Sequence, residues 1–126
     1  MLRYTLAVAL QLRARERIAA LDEIRDAFDL SETELGSLFG ITRQAVSHWR
    51  AHGIPPHRTA DVARVAELAG YLSREFLKER LPQIVRTPGH DKNDALGGRT
   101  FLDVLRTDGV MPIYRHLEQL FAYAGS

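Results

Sequence analysis

The chain contains no cysteine, so neither a disulfide framework nor a thiolate metal site is open to it. It also lacks an apolar run long enough to cross a bilayer. The start, MLRYTLAVALQLRARER, carries a short apolar stretch followed by arginines, without an extended basic segment before it or a small-residue cleavage site. This pattern argues against a signal peptide or membrane anchor and makes a cytoplasmic location the expectation. An excess of charge of either sign is nearly absent too: 17 Lys and Arg stand against 16 Asp and Glu, a formal net charge of +1. One further absence is local. No acidic residue lies between Glu34 and Asp61, a window that holds Arg43, Arg50, Arg58, His48, His52 and His57. A basic window inside a neutral chain suits a surface that meets phosphates.

What is present suits one compact domain, or a small domain with an appendage: 126 residues, of which 45% are hydrophobic. Alternation from Leu2 to Leu12 admits a strand, but no second strand of similar quality exists to pair with it, and a helix is favoured. Ile18, Leu21, Ile24 and Phe28 recur at helical spacing and predict a helix over Ala14–Phe28. Ser31 with Glu34 forms a capping box that opens a helix running to about Phe39. Thr42 caps the next, Arg43–Ala51, which His52-Gly53-Ile54-Pro55-Pro56 ends. A longer helix follows from Thr59 to about Arg80, before Pro82. Residues 82–98, with two prolines, three glycines and the polar run HDKND, predict an extended connection. Two short helices, Phe101–Arg106 and Val110–Ala122, complete an all-α chain. It divides into a helical region at 1–81 and a linker with a C-terminal unit at 82–126.

The stretch ETELGSLFGITRQAVSHWRA, residues 32–51, has the pattern of a helix-turn-helix. Gly36 allows the two helices to approach, Gly40 permits the turn, and Val46 packs the second helix against the first. Leu35, Phe39, Ile41 and Trp49 complete a small core. With Ala45, Val46 and Trp49 inward, Thr42, Arg43, Gln44, Ser47, His48 and Ala51 face outward. The second helix then enters the major groove, where Gln44 suits adenine and Arg43 suits guanine. Ser47 and His48 suit bases or phosphates. Arg50, His52, His57 and Arg58 suit phosphate, as do Ser31 and Thr33 with the amides opening the first helix.

Other chemistry is sparse. His48 and His52 are the only histidine pair at helical i, i+4 spacing. They fall on the expected DNA face, so no metal site is expected. No nucleophile stands with a general base and no phosphate-binding loop is present. The expectation is a protein without catalytic residues or cofactor.

The segment SLFGITRQAVSHWRAHGIPP resembles the Xre/Cro class of repressors. Further on, Thr87-Pro88, Leu96-Gly97-Gly98-Arg99-Thr100, Leu102-Asp103-Val104-Leu105, Gly109, Leu117 and Gly125 resemble, in order, the C-terminal toxin-binding domain of Xre/MbcA/ParS antitoxins. Two departures stand out: Phe101 where that family usually has proline, and a longer run over His90–Ala95. The resemblance implies a type II antitoxin that blocks a RES-domain, NAD-consuming toxin, or a related ADP-ribosylating one. It also implies repression of its own operon through the helix-turn-helix. The alternative is a stand-alone Cro- or YdaS-like regulator whose residues 99–126 serve only dimerisation.

Phe101, Tyr114, Phe121 and Tyr123 are the expected toxin contacts, because the last two helices carry more apolar groups than they can cover alone, and Arg99 and Arg106 among them are expected to reach acids at the rim of the toxin's cleft. On this reading residues 96–126 are needed for neutralisation and dispensable for folding of residues 14–81. A homodimer is expected as well, since one recognition helix reads too few base pairs to single out an operator. Leu2–Leu12 is the candidate for part of its interface, with core packing of that segment equally open.

Overall fold

The computed structural model describes residue 15, residues 18–89 and residues 94–124, with the side chains of 123 and 124 left out. The expectations for Leu2–Leu12, for the run from His90 to Asn93 and for the last two residues lie outside that range. Among the described residues the chain is all-helical and has no strand. The elements are α1 (residues 18–28), α2 (Glu32–Leu38), α3 (Arg43–His52), a single 3-10 turn (Pro56–Arg58), α4 (Thr59–Glu75), α5 (Leu81–Ile84), α6 (Phe101–Thr107) and α7 (Met111–Ala124). None of the described helices is long and apolar enough to cross a membrane.

Local chemistry explains most boundaries. Helix α1 ends with Asp29 in the left-handed region at φ 52°, while the Leu30 amide donates to the Arg25 carbonyl at 2.9 Å. That bond satisfies one of the carbonyls a helix end leaves open. The capping box at α2 is complete: the Glu34 amide donates to Ser31 Oγ at 3.1 Å, and the Ser31 amide to Glu34 Oε1 at 3.0 Å. Thr42 and Thr100 cap α3 and α6 in the same manner, each accepting from the amide three residues on.

Two expectations about the middle of the chain need correction. Helix α4 stops at Glu75 rather than near Arg80, because Phe76 turns to extended backbone at φ −120° and ψ 154°. Residues 82–98 are not simply an extended connection either. Pro82 sits in the first turn of α5, where its missing N–H costs nothing, so it begins a helix rather than only ending one. The segment then buries Val85 and Leu96 completely.

These residues join one hydrophobic cluster that runs from Leu21, Ile24 and Phe28 through Leu35, Val46, Trp49, Val62 and Leu72 to Phe101, Ile113 and Leu117. Polar ties reinforce it. Arg86 Nη1 donates to the carbonyls of Phe28 at 2.6 Å and Pro82 at 2.8 Å, and Nη2 to that of Asp29 at 2.7 Å. A guanidinium thereby closes the C-terminal end of α1, where the helix dipole favours a cation. The Leu102 amide donates to the Val85 carbonyl at 3.3 Å. Removing residues 96–126 would strip Leu96, Phe101, Leu102, Leu105 and Ile113 from that shared core, which argues against independent folding of residues 14–81.

Candidate nucleic-acid interface

The α2–α3 pair is held by a contact that only glycine allows. A Cβ on Gly36 would lie 2.7 Å from the Ile41 carbonyl oxygen, 3.1 Å from Val46 Cγ2 and 3.2 Å from the Thr42 carbonyl oxygen. The Gly36 carbonyl accepts from the amides of Phe39 and Ile41, both at 3.0 Å, so the turn folds back on the helix that precedes it. Gly40 supplies the left-handed backbone at φ 67°. Val46 and Trp49 are buried, with Phe39 and Trp49 rings 6.1 Å apart and tilted, while Ile41 is only partly buried at the edge.

The other face of α3 is open. Thr42, Arg43, Gln44, Ser47, His48, Ala51 and His52 are all exposed. Among the described residues Arg43 has no ion-pair or hydrogen-bond partner, and its guanidinium is available to an external ligand. Ser47 and His48 stand one turn further along. Thr33 is exposed at the start of α2, but the Ser31 hydroxyl is committed to its cap.

Arg50 and Arg58 are placed differently from what the sequence suggested. Arg50 donates through Nη1 to Asp22 at 2.6 Å, and through Nε and Nη2 to the two Glu32 oxygens at 3.1 and 2.9 Å. This forked pair holds the Glu32 carboxyl below the ordinary carboxylate range and raises Arg50 further. It binds α3 to α1 and α2 instead of pointing a cation at solvent. Arg58 donates to the Phe39 carbonyl, lies 5.8 Å from the Trp49 ring centre and sits 3.9 Å from Asp61. Both guanidiniums are engaged in keeping the α2–α3 pair in place. Partners 18 and 28 positions away are invisible to a reading based on local spacing.

The residues expected to meet a toxin divide in the same manner. Phe101 is only 5% exposed and belongs to the core, its ring edge-on to His116 at 5.9 Å, so it is not free to meet a partner. Arg99 is tied to the Leu96 carbonyl at 3.0 Å, Thr107 Oγ1 at 3.1 Å and Asp108 at 2.8 Å. Tyr114 packs against Tyr71 at 6.0 Å, and burial pushes its hydroxyl pKa up. Phe121 stacks on Phe76 at 6.4 Å. Arg106 is exposed and among the described residues bridges only to Asp103, at 3.3 Å, whereas the Tyr123 side chain is outside the described set. Among the described residues the large apolar side chains left in water are others: Leu77, Met111 and Leu120. Leu120 borders a cleft of about 650 Å³ that Phe76, Ile84, Leu96 and Leu117 also line. The excess of apolar groups on the last two helices points to these aromatics as contacts, yet their size is why the core claims them.

Compared with protein-family models, with curated proteins and with solved structures, the chain matches none of them.

Proposed function

We propose that the chain is a DNA-binding repressor that reads the major groove with α3 of a helix-turn-helix formed by α2 and α3. The observation that carries this reading is the outer face of α3, polar and free of acidic side chains, on a helix seated tightly through Gly36. Arg43 and Gln44, in the first turn, are the base-reading residues; Thr42, Ser47 and His48 flank them. Arg50 and Arg58 act indirectly by holding the helix, not as phosphate contacts. Two copies on a two-fold site would place the recognition helices roughly 34 Å apart, one helical turn of DNA. Selection of duplexes from a random pool tests the reading. Enrichment of one motif, lost with Arg43→Ala or Gln44→Ala, is expected; a pool that stays random would sink it.

In the fuller form of the proposal the repressor is also the antitoxin of a RES-type NAD-consuming toxin. That form rests on the resemblance of residues 87–125. The buried Phe101 and the committed Arg99 favour a stand-alone regulator, with α6 and α7 completing the core rather than serving only dimerisation. Truncation would not separate the two, because it removes core. Point changes at Arg106, Leu77 and Leu120 leave the core intact, and rescue of cells from a co-expressed toxin should depend on them if the antitoxin form holds.

A further inference from the structure

His48 and His52 stand one turn apart on the exposed face of α3, with ring centres 4.5 Å apart and ring planes inclined at 43°. Neither ring has a hydrogen-bond or ion-pair partner among the described residues, so their ring nitrogens are open to an external ligand. Imidazoles at i and i+4 on a rigid helix are the spacing at which one ion can take both without rearranging the backbone. Three further features favour a cation there. His52 is the last residue of α3, at the end where the helix dipole is negative. The nearest guanidinium in sequence, Arg50, is already neutralised by Asp22 and Glu32. Ser47 and Ala51, the neighbours along the face, are small.

Against the expectation drawn from the sequence, we propose that His48 and His52 form a two-imidazole site for a late first-row divalent metal ion, Cu²⁺ above Zn²⁺. The class follows from the ligands. Neutral imidazole suits copper, nickel and zinc, whose affinities for a nitrogen site rise to copper. Hard ions such as Mg²⁺ and Ca²⁺ prefer oxygen donors and are excluded. No group of three or more His, Asp, Glu or Cys gathers among the described residues, so water fills the remaining positions and the ion exchanges readily. An ion held there takes the nitrogens that His48 would otherwise offer to DNA and adds a hydrated bulk to the recognition face. Metal and DNA therefore compete. Only this last consequence rests on the DNA-binding reading; the site itself does not.

The test titrates the full chain with Cu²⁺ by calorimetry and records its electron paramagnetic resonance spectrum. Both histidines are exposed, so His48→Gln and His52→Gln are expected to fold normally by circular dichroism. One Cu²⁺ per chain with two coupled nitrogens is expected, and each variant should lose about tenfold in affinity as chelation is lost. His57→Gln should change nothing, and Mg²⁺ at millimolar excess should not displace the ion. Equal affinity in wild type and both variants, or a loss only with His57→Gln, overturns the site. Adding Zn²⁺ should weaken the wild-type protein's binding to its selected duplex, whereas the variant carrying both His48→Gln and His52→Gln should keep its own metal-free affinity when Zn²⁺ is added. Unchanged DNA affinity overturns the competition while the copper spectrum still stands. Absence of any DNA binding without metal overturns the DNA reading, and not the metal site.

Discussion

Helix pairs α2–α3 and α6–α7 are built from the same local parts and end up with opposite surfaces. Each pair has a helix capped by threonine, Thr42 for α3 and Thr100 for α6, and each has a glycine with positive φ at its turn, Gly40 and Gly109. Yet α3 buries only Val46 and Trp49 out of ten residues, whereas the seven-residue α6 buries Phe101, Leu102, Val104 and Leu105. Helix α6 is enclosed by its neighbours, so its side chains stabilise the fold. Helix α3 is supported from behind and leaves a whole polar face in water. Local signals set where a helix starts and stops. Placement in the assembly decides which of its faces remains available.

Mutation can break this contrast at its strongest point first. Phe101→Ala should cost about 3–5 kcal/mol of stability in urea unfolding, the cost of emptying a large aromatic site in a core. A loss below about 0.5 kcal/mol, the range of ordinary surface substitutions, would mean that the ring faces out and that α6 is a docking helix after all. Next comes Gly36→Ala, whose Cβ would meet the Ile41 backbone oxygen, an atom that cannot swing aside. It should destabilise by about 1–3 kcal/mol through overpacking, and DNA affinity should fall with it because α3 shifts. An unchanged unfolding midpoint would show that the helices are not in close contact.

On the open face the effects should appear in binding and leave stability alone. Gln44→Ala should keep the unfolding midpoint and cost about 1–3 kcal/mol on a selected duplex, with relaxed preference at one base pair. Equal losses on selected and random DNA would remove Gln44 from the base-reading set. The smallest effect belongs to the ion pairs behind α3. The Glu32 carboxyl is depressed chiefly by the hydrogen bond from Arg50. A depressed carboxylate stabilises the fold above its unfolded-state value, and that contribution disappears as pH falls through the folded-state value. Wild-type stability should therefore decline more steeply than that of Glu32→Gln below pH 4.5, the group's ordinary value. Parallel curves would mean that the Arg50 pair is broken in solution.

Much of the helical layout was legible beforehand because its causes are local. The Ser31–Glu34 capping box, the threonine caps, the left-handed Gly40 and the i, i+3, i+4 spacing of Leu21, Ile24 and Phe28 each act within a few residues. Pro82 misled for a physical reason: proline stops a helix and also starts one, and its first-turn position in α5 depends on where α4 ends. The exposed side chains of α3 were legible as well, since Val46 and Trp49 mark the inner face and the rest follow by period. Arg50 and Arg58 were not. An arginine in a basic window looks the same whether it meets phosphate or a carboxylate folded in from 28 positions away.

The amino-acid sequence alone determined the all-helical character of the described residues, most of their helix boundaries, the close approach at Gly36 and the polar face of α3. Tertiary structure alone decided that the residues before and after Pro82 share one core, that Phe101 is buried in it, and that Asp22 and Glu32 neutralise Arg50. The division has one cause. Caps, turns and helical period come from interactions spanning about one helical turn, whereas burial and charge pairing depend on which distant segments meet.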